Sequence, residues 1–347
     1  MTRYRTITIA SLVLGLVGAE CATGTRALAE SATVPDCSGW LQRDWWEPEN
    51  RRTPGDVVYC ARTNRGRDLA HPLREVVNDR FPEDTGASAT QAILAAGADP
   101  NHRDRYKWTP LTYWALNGRG GYDSDQRNRS EAADEAQVRA LLEAGADPNT
   151  PRRGNFRSNP ASLIPPLSAG LFDVRPRERL SAATGYSLGS MGIAPNQGWR
   201  PLHLAAAFRT PLGSIRALLE HGADPNLTIA DGQDWTALHA ASLTGRPDVI
   251  RLLLEHGADP KLVTSRRGWT PLHVLAWSGG RNRADTMESA KLLLAAGVDP
   301  SARDNRGRTM WQIIVKRHGA RLKKLLDARQ VSDESRAVLA TLQEAGS

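Results

Sequence analysis

A five-residue phrase constrains this chain more than any other feature. Gly-Ala-Asp-Pro-Asn stands at 97–101, 145–149 and 222–226, and shortened forms follow at Gly257-Ala258-Asp259-Pro260 and Gly297-Val298-Asp299-Pro300. Apolar pairs at helical spacing precede them, including Leu141-Leu142, Leu218-Leu219, Leu253-Leu254 and Leu293-Leu294. A glycine that can turn left-handed ends a helix, and an Asp-Pro turn cannot continue it. A second phrase opens the next helix: Thr109-Pro110-Leu111, Pro201-Leu202-His203, Thr236-Ala237-Leu238-His239 and Thr270-Pro271-Leu272-His273. Threonine caps a helix and proline sits well in its first turn. Small residues then follow, at Ala205-Ala206-Ala207 and Ala240-Ala241, so a short inner helix can pack closely on its neighbours. The pattern predicts an all-α chain of repeated helix pairs. Its turn aspartates lie 48, 77, 35 and 40 residues apart, so the longer intervals hold insertions.

These phrases resemble the ankyrin-repeat family, whose unit is a β-turn plus two antiparallel helices over about 33 residues. The resemblance runs from about Asp68 to Arg329, beginning with a degenerate opening at Asp68-Leu69-Ala70-His71-Pro72-Leu73. It implies an all-α ankyrin-repeat solenoid of about six units, residues 68–329, that binds proteins and performs no catalysis. Upstream, Cys37-Ser38-Gly39-Trp40, Trp45-Trp46 and the run from Thr53 to Cys60 resemble the opening of exported bacterial ankyrin proteins. That likeness implies a disulfide between Cys37 and Cys60 tying an N-terminal cap over 30–67. Residues 330–347 read as a C-terminal capping helix.

The N-terminus points to export. Arg3 and Arg5 precede 13 apolar or small residues from Ile7 to Ala19, too short to span a bilayer, with small residues afterwards. This is the order of a secretory signal peptide. Cleavage sites compete after Ala19 and after Ala29. Cutting after Ala29 removes Cys21 and leaves Cys37 and Cys60, an even pair suited to an oxidising compartment. Residues 1–29 are therefore assigned to the signal, and the mature protein to the periplasm or the cell exterior. No later apolar run is long enough to cross a membrane.

Charge is unevenly placed. The whole chain carries a formal +7. Residues 151–197, a proline- and serine-rich insertion where a short turn belongs, carry +4, and Arg303–Arg329 carry +7. The rest of the mature chain is left at −6. Most of the C-terminal charge reads as the solvated face of a terminal helix. Export argues against nucleic acid, so the expected partner is a protein, acidic where it meets the basic charge, bound by a monomer; the alternative is a tether to an anionic envelope surface through the basic C-terminal unit.

Four features of the sequence bear on chemistry. Gly185-Tyr186-Ser187-Leu188-Gly189 matches a nucleophile elbow, but no apolar strand precedes Ser187 to strain the turn, so a hydrolase is the rival reading rather than the favoured one. Asp123 and Asp125 fail as a calcium loop, because Arg127 takes the next ligand position and the central glycine is missing. His203, His239 and His273 recur in one repeat slot, about 10 Å apart and too far to share a zinc. The family resemblance implies hydrogen bonds between neighbouring turns for them. No metal or cofactor is expected. Trp108, Trp199, Trp235 and Trp269 each stand just before a repeat opening. Packing between turns and contact with a partner are both open to them, and they are the partner-binding candidates.

Overall fold

The computed structural model describes residues 59–60, 73, 76–77, 85–104, 107–116, 131–151, 198–208, 210–229, 234–278, 283–316 and 333–345. Among these residues the protein is helical, without strands. The helices are α1 (Thr85–Ala95), α2 (Pro110–Leu116), α3 (Glu131–Glu143), α4 (Pro201–Ala207), α5 (Leu212–Glu220), α6 (Ala237–Thr244), α7 (Pro247–Glu255), α8 (Pro271–Ser278), α9 (Arg283–Ala295) and α10 (Asp333–Glu344). Residues 310–316 form a further helical stretch. No described helix is long and apolar enough to cross a membrane.

The helices stack in two rows. α2, α4, α6 and α8 contact one another in series, as do α1, α3, α5, α7 and α9, with α10 packed on α9. The two rows differ for a reason visible in their residues. Inner helices run only 7 or 8 residues and are buried along most of their length: in α6, every residue from Ala237 to Leu243 is buried. Alanines at 240 and 241 leave room for the neighbours on both sides. Outer helices are amphipathic. α7 buries Val249, Ile250, Leu252 and Leu253 and exposes Arg251 and Glu255. Full burial of each such aliphatic side chain stabilises by about 1.5–3 kcal/mol.

Helix ends follow the sequence phrases. At Gly222, φ is +86°, a value that favours glycine. Its N–H donates to Leu219 O at 3.1 Å and the Ala223 N–H to Leu218 O at 2.9 Å, closing α5. At the start of α6, Thr236 Oγ1 accepts from the His239 N–H while the His239 ring reaches back to the Thr236 N–H. This is a capping box with histidine in the place usually held by glutamate or glutamine.

Polar side chains tie one unit to the next. Buried Gln137 on α3 donates to Val76 O and to Thr90 Oγ1 of α1, both at 3.2 Å. Arg246, just before α7, donates to Phe208 O at 3.0 Å and Thr210 O at 2.9 Å in the preceding unit. Cys60 is fully buried and disulfide-bonded. Cys37, the signal segment 1–29, the loop at Asp123 and Asp125, and all of the 151–197 insertion except Pro151 lie outside the described residues.

Candidate functional site

The turns between units project as a row, and a chain of asparagines links them. Asn101 Nδ2 donates to Gly145 O and Asn101 Oδ1 accepts from the Asp147 N–H, both at 2.7 Å. Asn149 repeats this on Gly222 and Asp224, and Asn226 on Gly257 and Asp259. Each asparagine thus uses donor and acceptor together to fix the next turn. Within a turn, the aspartate accepts from the N–H two residues on, as Asp224 does from Asn226 at 2.8 Å. These backbone staples give the row a set spacing before any partner arrives, which limits the ordering cost of docking.

Behind the turns lies a buried layer. His203 Nε2 is 3.0 Å from Trp235 O, His239 Nε2 is 3.0 Å from Trp269 O, and His273 Nε2 is 3.2 Å from Arg308 O. On His239 and His273 the other nitrogen accepts from threonine, with Thr236 Oγ1 and Thr270 Oγ1 each at 2.8 Å. The assigned tautomer therefore carries its proton on Nε2, and both nitrogens are occupied. His203 differs. Arg200 replaces the capping threonine, and His203 Nδ1 is buried without a partner. Burial pushes the pKa of His203 and His239 down to about 4, and lowers that of His273.

Three of the four tryptophans that precede the openings lie inside the stack. Trp199 and Trp269 are 1% exposed and Trp235 is 4% exposed, so their rings pack and present no face to a partner. Trp108 is half-buried, with its ring centroid 4.8 Å from that of Tyr113. At Trp235 and Trp269 the reason is local: each supplies the carbonyl that the preceding histidine binds, which draws the backbone and its ring into the stack. In the last described turn that position is Arg308, and the row of rings stops.

Where the rings stop, an arginine-lined cleft of about 300 Å³ opens between turns 264–269 and 304–309. Arg266, Arg267, Arg306 and Arg308 line it with Asp304 and Asn305, a formal +3. Asn305 locks the two turns together: its N–H donates to Arg267 O at 2.8 Å, and its Nδ2 to Ser265 O at 3.1 Å. Gly268, at φ +64°, has Asn305 Oδ1 within 2.5 Å of where a Cβ would stand. Asp304 is buried and committed. Its Oδ2 accepts from Arg308 Nη2 at 2.6 Å, Arg308 Nε at 3.0 Å and Trp269 Nε1 at 3.3 Å. Its Oδ1 accepts the N–H groups of Arg306 and Arg308 at 2.9 Å. Burial by itself would raise the Asp304 carboxyl, but these donors hold it at about 2. Sequence reasoning missed this cleft by assigning the basic charge to a terminal helix. The signal was present: Arg266-Arg267 reappears one repeat later as Arg306 and Arg308.

Ser187 lies outside the described residues. The two turns flanking the insertion, however, meet. Arg200 Nη1 donates to Asn149 O, and Arg200 Nε donates to Thr228 O at 3.3 Å.

Stacked helix pairs, asparagine-hooked turns and a histidine–carbonyl layer define a repeat solenoid whose projecting turns form one continuous surface. A family model for ankyrin repeats (three copies) matches residues 183–264 and 228–304. Among solved structures, an ankyrin repeat domain from Acinetobacter baumannii is similar at 21% identity, with 79% of this chain and 97% of that one covered and a TM-score of 0.48. Residues 183–304 carry ankyrin repeats, and ankyrin repeats indicate a protein–protein interaction scaffold. The family is typically non-enzymatic.

Proposed function

We propose that this protein is an exported, non-enzymatic binder that holds one protein partner against its row of turns. The observation that carries the reading is the asparagine-hooked row: three successive hooks prearrange exposed backbone and side chains for contact. The leader-like residues 1–29 and the pairing of Cys60 with Cys37 belong to the same proposal, because a disulfide persists in an oxidising compartment. The insertion at 151–197 adds specificity. The role that fits these features is inhibition of, or immunity to, another exported protein.

Crosslinking of the secreted or periplasmic protein, followed by mass spectrometry, tests this. One exported protein should be captured repeatedly, and non-reducing peptide maps should join the Cys60 peptide to the Cys37 peptide. Retention in the cytosol with an intact N-terminus ends the export claim. An esterase or peptidase activity that vanishes in Ser187→Ala ends the binder claim.

A further inference from the structure

The asparagine series stops one turn before the row of turns does. The turn at 257–260 keeps the backbone form of those before it: Asp259 Oδ1 accepts the Lys261 N–H at 2.8 Å, as Asp224 Oδ1 accepts that of Asn226. The following turn matches its predecessors on the receiving side. Gly297 has φ +86°, equal to Gly222, and its N–H donates to Leu294 O at 2.9 Å. Asp299 Oδ1 accepts the Ser301 N–H at 2.8 Å. Only the side chain between the two turns differs. Lysine has no acceptor, and among the described residues the Gly297 carbonyl and the Asp299 N–H make no hydrogen bond within the chain. Gly297 and Asp299 are both exposed. A fourth carboxamide slot is thus complete on its receiving face and unfilled from within. In the donor turn, Val263 is 48% exposed, one of three exposed large apolar side chains among the described residues.

We propose that the Gly297 carbonyl and the Asp299 N–H receive the side-chain carboxamide of an asparagine or glutamine on the protein's partner. That side chain extends from another chain the series that Asn101, Asn149 and Asn226 make from within this one. The inference rests on the protein-binding reading above and names the partner's chemistry at one point of the row of turns. The slot itself selects the ligand. It offers one acceptor and one donor, in the turn geometry that three carboxamides already bridge. A primary carboxamide can present an N–H and its C=O on the same side of one planar group. A trans peptide bond points them in opposite directions, so a single backbone amide cannot make both bonds. A carboxylate has no proton for Gly297, and a lysine or arginine has no acceptor for Asp299. The Asp299 carboxylate, which Ser301 Oγ holds in its own turn at 2.7 Å, also repels an anion. Val263 adds an apolar contact beside the polar pair, and the prearranged turns limit the ordering cost.

The test uses the mature full-length protein, isotope-labelled for NMR, with N-acetylasparagine methylamide as probe. N-acetylalanine methylamide, which has backbone amides only, is the control. The asparagine probe should move the Asp299 amide signal, and the alanine probe should leave it in place. Lys261→Asn should fill the slot from within, slowing hydrogen exchange at the Asp299 amide by about tenfold and abolishing the response to the probe. Equal shifts from the two probes, or an Asp299 amide that exchanges as fast in Lys261→Asn as in the parent, would overturn the proposal. The second arm measures the protein captured by crosslinking. Lys261→Asn should weaken its binding by about tenfold, the loss of two hydrogen bonds, with an unfolding midpoint no lower than the parent's. Lys261→Ala removes the charge and leaves the slot open, and should change binding by less than about twofold. Equal losses in the two variants would assign the contact to the lysine charge and overturn the proposal. If the captured partner is held undiminished by Lys261→Asn, the slot inference fails and the broader binding reading stands. If the asparagine probe occupies the slot but no partner is ever captured, the broader reading fails and takes the partner assignment with it.

Discussion

Asn149 grips Gly222 across 73 residues of chain: its Nδ2 lies 2.7 Å from the Gly222 carbonyl, while its Oδ1 accepts the Asp224 N–H at 2.9 Å. The same two bonds join Asn101 to Gly145 and Asn226 to Gly257. The repeat register is thus carried straight over the insertion, as though no residues had been added.

The next position in that series is Lys261, which has donors but no acceptor and cannot make the paired bond to Gly297 and Asp299. Lys261→Asn should therefore stabilise the protein by about 1 kcal/mol, and Asn149→Ala should destabilise it by about 1–2 kcal/mol. Urea unfolding of the two variants checks this. A Lys261→Asn variant no more stable than the parent would mean that the hook contributes nothing at the last interface.

Acid should loosen the stack before it protonates the carboxylates. His203 and His239 titrate at about 4 in the folded protein, from burial first, with Arg200 near His203 and His273 near His239 adding to the shift. The unfolded chain takes up these protons near pH 6.5, so stability is complete above that value and is lost as pH falls towards 4. The loss is roughly 3 kcal/mol for each of the two, as an upper figure. Asp304, held at about 2, adds its own loss only below about pH 4. Unfolding midpoints at pH 7, 5.5 and 4.5 should fall steadily, and less steeply in His239→Gln. A midpoint flat from pH 7 to 4.5 would contradict the burial argument.

Trp235→Ala should cost about 3–5 kcal/mol of stability, as expected for a large ring removed from a core. Its effect on partner affinity, measured where the variant is still folded, should be small. A variant of normal stability that no longer binds would return Trp235 to the interface.

Removing residues 154–195 should leave one cooperative transition. The flanking turns are held by Asn149 to Gly222 and by Arg200 to Asn149, contacts that do not require the intervening chain. Circular dichroism and urea titration read the fold, and binding to the crosslinked partner reads the function, which should weaken. Adding Arg200→Ala to the deletion should destabilise it further. A deletion that unfolds outright would show that the insertion is part of the core.

Sequence alone determined the repeat: Gly222 must turn left-handed, Pro225 must stop a helix, and Thr236 must cap one, all through interactions within a few residues. Burial in the inner helices was legible for the same reason, since Ala240 and Ala241 leave little space between stacked neighbours. Only the tertiary structure decided which way the tryptophans face, because the choice depends on His203 and His239 binding the carbonyls of Trp235 and Trp269 some 30 residues away. It also decided that Arg266, Arg267, Arg306 and Arg308 share one cleft. Charge counted along a chain has no direction, and the Asn305 bonds to Arg267 and Ser265 are what bring the two turns together.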